Sequence, residues 1–154
     1  MEILNNRKPD HDISKIFTER WSPRAFSEKP IEHEKLMSVF EAARWAPSCF
    51  NEQPWLFLYA TKEEDLKLFR SILVEKNQLW ANKAPVLMFV FAKKNFDYNN
   101  QPNRWAEFDC GAAWMSLALE AQRQGLITHA MAGFNEDKTY ELLNVPKDKY
   151  TVIA

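Results

Sequence analysis

The chain has 154 residues, 46% of them hydrophobic and 27% charged, with only 3 Gly and 2 Cys. That length and apolar fraction suit one compact domain across residues 1–154 and exclude a disordered or collagen-like polymer. The 20 Lys+Arg against 21 Asp+Glu leave a formal net charge of -1, and no local basic patch offsets it, so nucleic acid is not expected as a partner.

No apolar run approaches the roughly 18 to 20 residues of a membrane span. The opening Met1-Glu-Ile-Leu-Asn-Asn-Arg lacks a signal peptide's apolar stretch, so a cytoplasmic protein with no membrane partner is expected. Cys49 and Cys110 are too few for a disulfide framework and too far apart for a zinc knuckle. They read as free thiols in a reducing compartment.

In chain order, Asp12 is expected to cap a short helix through about Glu19, with Ile13, Ile16 and Phe17 on one face. The polar link Arg20-Trp-Ser-Pro-Arg follows. Pro30 precedes a helix from about Glu32 to Ala46, in which Leu36, Val39, Phe40 and Ala43 recur at helical spacing until Pro47 stops it. Trp55-Leu-Phe-Leu-Tyr-Ala has strand composition, and Thr61-Lys-Glu-Glu has the spacing of a capping box for a helix starting near Lys62. Leu66, Phe69, Ile72 and Leu73 carry that helix to the middle seventies, with a further turn or two around Gln78 to Asn82. Val86-Leu-Met-Phe-Val-Phe-Ala is apolar throughout and short, as in a central strand buried on both faces.

Residues Lys93 to Arg104 are polar and Asn-rich, and read as a long loop. The longest helix is expected from about Trp105 to Gln124, the buried spine of the domain, ended by Gly125 in a left-handed conformation. A strand over Leu126 to Met131, a helix from an Asn135 cap to about Leu143, and a last strand opened by Tyr150-Thr-Val-Ile-Ala complete the reading.

His11, His33 and His129 have no second His or Cys at ligand spacing, so no metal site is expected. A cysteine nucleophile with His129 as base is conceivable, but no local signature accompanies it. Gly111, Gly125 and Gly133 are too scattered for a glycine-rich phosphate turn. Arg20 and Arg24, with Ser22 between them, can fork around phosphate oxygens, or can be a solvated pair at a helix end. Pro47-Ser-Cys-Phe-Asn-Glu-Gln-Pro-Trp concentrates hydroxyl, thiol and amides where a planar polar heterocycle could find partners. Its other reading is a capped loop with Trp55 in the core.

Together these residues resemble the nitroreductase family of FMN oxidoreductases. Arg20-x-Ser22-x-Arg24-x-Phe26 is similar to that family's N-terminal phosphate motif, and Ala46-Pro47-Ser48-x-x-Asn51-x-Gln53-Pro54-Trp55 to its second signature. Gly111-Ala-Ala-Trp-Met-Ser-Leu-Ala-Leu-Glu-Ala, then Gly125-Leu and Met131-Ala-Gly133-Phe134, resemble its central helix and following strand. The resemblance implies an α+β fold with a central, mostly antiparallel sheet wrapped by helices, and a homodimer with flavin at its interface.

By position, it implies that Arg20, Ser22 and Arg24 hold the phosphate and ribityl chain. Pro47, Ser48, Cys49 and Asn51 would reach flavin from the partner subunit, and Asn77 would touch the pyrimidine edge. Met131, Ala132 and Gly133 would pack on the ring, with the Ala132 N–H near flavin N5. NAD(P)H would donate hydride through N5 to nitroaromatics, quinones or similar small acceptors, with no catalytic side chain required. Phe50 and Trp105 are candidate walls of the acceptor cleft, or dimer-core residues. Family members usually continue past the position of Ala154, so the domain is expected to be incomplete at its C-terminus. That leaves a non-catalytic flavin-binding or interaction module on the same scaffold as the alternative function.

Overall fold

The computed structural model describes residues 6–154; Met1 to Asn5, most of the opening stretch that lacks a signal peptide's apolar run, lie outside the described residues. Helices and strands follow in the order α1 (Lys15–Glu19), α2 (His33–Arg44), β1 (Trp55–Ala60), α3 (Glu63–Ile72), α4 (Glu75–Ala81), β2 (Leu87–Lys93), α5 (Ala106–Arg123), α6 (Glu136–Leu142) and β3 (Tyr150–Val152). The three strands form one antiparallel sheet in the order β1-β2-β3. Among the described residues no helix is long and apolar enough to cross a membrane.

The uninterrupted apolar composition of β2 follows from its central place. Successive side chains of a strand point to opposite faces. Leu87, Phe89 and Phe91 enter one core with Leu66, Phe69 and Ile72 of α3 and with Val145 and Val152. Met88 faces the other way, against Val39 and Ala43 of α2 and Ala113, Leu117 and Ala121 of α5, while Val90 and Ala92 meet Ala106 and Cys110. Both faces of the strand are therefore covered, as its sequence anticipates. Small residues along α2 and α5 let those two helices pack closely beneath the sheet.

Pairing with β3 covers only part of β2. The Val90 N–H donates to the Ala154 carbonyl at 2.9 Å, and the Val90 carbonyl accepts from Ile153 N–H at 2.7 Å. Beyond that point Val86 to Phe89 border a cavity of about 130 Å³, whose other wall includes Leu126 to Met131. Thr128 Oγ1, buried and without a partner among the described residues, lies in that wall.

Four local expectations need correction. Leu126 to Met131 form no strand: the Leu126 N–H closes α5 on the Ala121 carbonyl at 2.8 Å, and among the described residues no neighbouring strand offers the following residues a ladder, so strand-like composition alone does not suffice. Asp12 does not cap α1, which starts at Lys15 behind Ser14. Ile13 remains 48% exposed and supplies no packing to draw an earlier turn into the helix. The Thr61 capping box does not form either. Lys62 occupies the N-cap, and Glu63, Glu64 and Asp65 complement the helix dipole in place of a side-chain cap. Finally, α5 is only half a buried spine, since Phe108 is 79% exposed and Met115, two turns on, is also exposed.

The Asn135 cap does form. Its Oδ1 accepts from Lys138 N–H at 2.9 Å, while its own N–H donates to the Ile72 carbonyl at 2.9 Å, pinning the start of α6 to the end of α3. Asn135→Ala is expected to cost about 1 kcal/mol, read as a lower urea midpoint with an unchanged slope.

Candidate functional site

The segment after α1 is held on an aromatic platform. The Arg24 guanidinium lies 5.9 Å from the Trp80 ring centroid, and Phe26 stacks on the same indole at 6.0 Å and 18°. Trp80 in turn meets the His129 ring at 4.5 Å, and His129 Nδ1 hydrogen-bonds the Pro23 carbonyl at 2.9 Å, the ring nitrogen acting as donor. Ser22, between the two arginines, is exposed. Neither the expected phosphate motif nor the expected ring contacts include Trp80 or His129, the latter weighed only as a base for a cysteine. Their role arises only when α4 and the stretch after α5 converge on a segment more than fifty positions away.

Arg20 behaves differently from a solvated helix-end cation. It terminates α1, with its N–H donating to the Ile16 carbonyl at 3.0 Å and its carbonyl accepting from Arg7 Nη1 at 2.7 Å. Its own Nη1 is buried and has no hydrogen-bond partner among the described residues. A buried charged donor left unpaired is costly, and an anion is the ligand that removes the cost.

Asn77 and Gly133 form one unit. Asn77 Nδ2 donates to the Gly133 carbonyl at 3.0 Å, and Val74 N–H donates to the same oxygen at 3.1 Å. A Cβ on Gly133 would lie 2.5 Å from Asn77 Nδ2 and 2.9 Å from Val74 Cγ2, so only glycine allows this approach. Both lone pairs of the Gly133 oxygen are thereby engaged. Met131 is half-buried against the core that contains Phe89, and Ala132 is exposed beside it.

The loop from Ser48 to Gln53 is tightly wound, with a 3-10 turn at Cys49–Asn51 and left-handed backbone at Phe50 (φ 54°), Asn51 (φ 56°) and Gln53 (φ 51°). Asn tolerates that region, but Phe and Gln rarely enter it; such residues cost about 1–3 kcal/mol each and persist where surrounding contacts enforce them. The enforcing contacts are Gln53 N–H to Ser48 Oγ at 2.9 Å, Gln53 Nε2 to the Asn51 carbonyl and Oδ1 at 3.1 Å, and Cys49 N–H to Asp109 Oδ2 at 3.0 Å. Pro47 is exposed at the loop's entrance. Phe50, 75% exposed, meets Phe96 and Tyr98 edge-on at 5.9 and 5.8 Å, and Phe96 lies 6.4 Å from Trp105. The two candidate cleft walls are thus joined through Phe96, an aromatic inside the otherwise polar stretch Lys93 to Arg104.

The expected site residues fall into two groups. Arg24 sits over Trp80, which with Met131 lines the cavity beside the start of β2, and Asn77 is bonded to Gly133, whereas the chain after the Ser48–Gln53 loop meets the far end of β2, where Lys93 N–H donates to the Pro54 carbonyl at 2.8 Å. Among the described residues no hydrogen bond or ring contact joins one group to the other. The cysteine–histidine pairing does not occur. Cys110 donates weakly to the Phe91 carbonyl at 3.7 Å with its thiol pushed up to about 12 by burial, and Cys49 contacts Asp109, not His129. Among the described residues no group of three or more His, Cys, Asp or Glu could hold a metal.

The model of the Nitroreductase family matches residues 17–73 and 60–154, which takes in both groups. The chain belongs to the nitroreductase family. A solved oxidoreductase containing FMN superimposes on this nitroreductase-family chain with a TM-score of 0.91 at 42% identity, over 99% of this chain and 78% of the other. An Exiguobacterium sibiricum protein solved in complex with FMN gives 0.82 at 23% identity, over 95% and 86%. CLA-ER, an enone reductase of gut-bacterial fatty acid saturation, gives 0.80 at 19%, over 94% and 86%. The last two are likenesses of fold alone. The 15.4 kDa protein in the ask 5' region of Mycolicibacterium smegmatis is 36% identical over 66 residues, 43% of this chain and 44% of that protein; the chain spans less than half of that curated relative. The α+β nitroreductase architecture expected from the motifs is the one observed.

Proposed function

We propose that this nitroreductase-family chain is an FMN-dependent oxidoreductase that accepts hydride from NAD(P)H and delivers it to nitroaromatics, quinones or similar small acceptors. The observation that carries the reading is the buried Nη1 of Arg20, unpartnered among the described residues, inside the segment that resembles the family's phosphate motif. FMN, when bound, supplies the redox chemistry through ring N5. Arg20 and Arg24 bind its phosphate and Ser22 the ribityl chain. The 42%-identical relative that contains FMN supports this assignment.

Asn77 serves the pyrimidine edge through its Oδ1, because its Nδ2 is engaged by Gly133. Met131 and Ala132 flank the ring, with Phe50 and Trp105 as walls for the acceptor. A second copy of the chain brings its Ser48–Asn51 loop to the arginine group of the first, which answers the separation of the two groups within one chain. The exposed Phe108 and Met115 of α5 offer that copy an apolar face. A cytoplasmic setting agrees with the two free thiols.

The test is a visible spectrum of the purified protein before and after adding FMN, followed by NAD(P)H oxidation with a quinone. Flavin bands and turnover are expected. A colourless protein that binds no added FMN overturns the reading, and bound flavin without turnover makes the chain a flavin-holding module.

A further inference from the structure

Among the described residues, two hydrogen bonds tie the Ser48–Gln53 loop to distant parts of the chain. In one, Glu52 accepts from Asp97 N–H, whose own segment is a loop. The other ends on a helix: Cys49 N–H donates to Asp109 Oδ2 at 3.0 Å, across 60 positions of sequence. Asp109 lies in the first turn of α5 and is only 4% exposed. Among the described residues it forms no ion pair.

A buried carboxylate without a cation is a poor way to stabilise a core, where an apolar residue of similar size would serve better. The helix N-terminus offsets part of that cost. The remaining partner is the Cys49 N–H, which sits immediately before left-handed Phe50 and Asn51. Helix α5 is also the element whose outer face carries exposed Phe108, next in sequence to Asp109. One turn of helix therefore fixes both the loop's starting point and a side chain on the face assigned to the second copy.

We propose that Asp109 is the positioning residue of the flavin-facing loop. Its carboxylate fixes the Cys49 peptide, and through it the left-handed turn that presents Cys49, Phe50 and Asn51. This rests on the reading that the loop contacts flavin. What the position requires is an acceptor oxygen, not a negative charge, so asparagine should replace aspartate there and alanine should not.

The experiment compares wild type, Asp109→Asn and Asp109→Ala by amide hydrogen exchange at Cys49 and by FMN titration. In Asp109→Ala, exchange at Cys49 is expected to accelerate roughly ten- to a hundredfold, with FMN affinity falling about tenfold. Protection at β2 should be unchanged. In Asp109→Asn both quantities should return to within about threefold of wild type, a rescue that general loosening of the core would not produce. Unchanged exchange at Cys49 in the alanine variant overturns the proposal, as does an asparagine variant as impaired as alanine. Wild type that fails to bind FMN overturns the functional reading and leaves the exchange comparison to decide the role of Asp109.

Discussion

Replacing Arg20 with methionine is expected to weaken FMN binding about ten- to a hundredfold while leaving the free protein as stable as wild type or more so. The two effects have opposite signs for one reason. In the free chain Nη1 of Arg20 is buried and bonded to none of the described residues, so methionine removes an unsatisfied charged donor and retains the aliphatic packing. In the complex the same nitrogen contributes a charge-assisted bond to phosphate, worth about 1.5–3 kcal/mol. Adding Arg24→Met should extend the loss to roughly a hundredfold to ten-thousandfold, together with the smaller cost of the lost cation–π contact on Trp80. Titration with riboflavin, which lacks the phosphate, is the control. Equal weakening of riboflavin and FMN would remove the arginines from the phosphate site, and a urea midpoint that falls in Arg20→Met would show that the guanidinium is structural.

Gly133→Ala is expected to destabilise the fold by about 1–3 kcal/mol, a fall of roughly 2–12 °C in Tm for a chain of this size. The new methyl carbon would sit 2.5 Å from Asn77 Nδ2, so either the amide swings away and gives up its bond to the Gly133 carbonyl or the backbone shifts. Val74 Cγ2 at 2.9 Å closes the other direction. Asn77→Ala combined with Gly133→Ala should recover part of the loss, a non-additivity diagnostic of direct contact. Thermal melts of the four proteins check this. Gly133→Ala with wild-type stability would mean that the segment is free to move aside.

Much of the fold was legible because its signals are periodic. The alternation of β2 between opposite cores demands apolar residues along its covered length, and the sequence has one at each position from Val86 to Ala92, with only the terminal Lys93 charged. The Asn135 cap and the Gly125 stop, at φ 74°, are local chemistry that a few neighbouring residues decide. Where the outcome depends on distant partners, local composition does not decide it. Leu126 to Met131 has strand composition and no adjacent strand, and Phe96 looks like one more residue of a polar loop until Phe50 and Trp105 arrive on either side. The same limit held at the site. Arg20, Arg24 and the Ser48–Asn51 turn carry recognisable spacing, whereas Trp80, His129 and Asp109 matter only through contacts made across the fold.

The left-handed backbone at Phe50, Asn51 and Gln53 also bears on how quickly and how tightly anything can be captured there. A glycine-rich turn of equal length would sample many shapes and would have to be frozen at each encounter, with the entropy loss subtracted from affinity every time. Here the conformational freedom is surrendered once, when the chain folds, so association meets a surface already in its working shape.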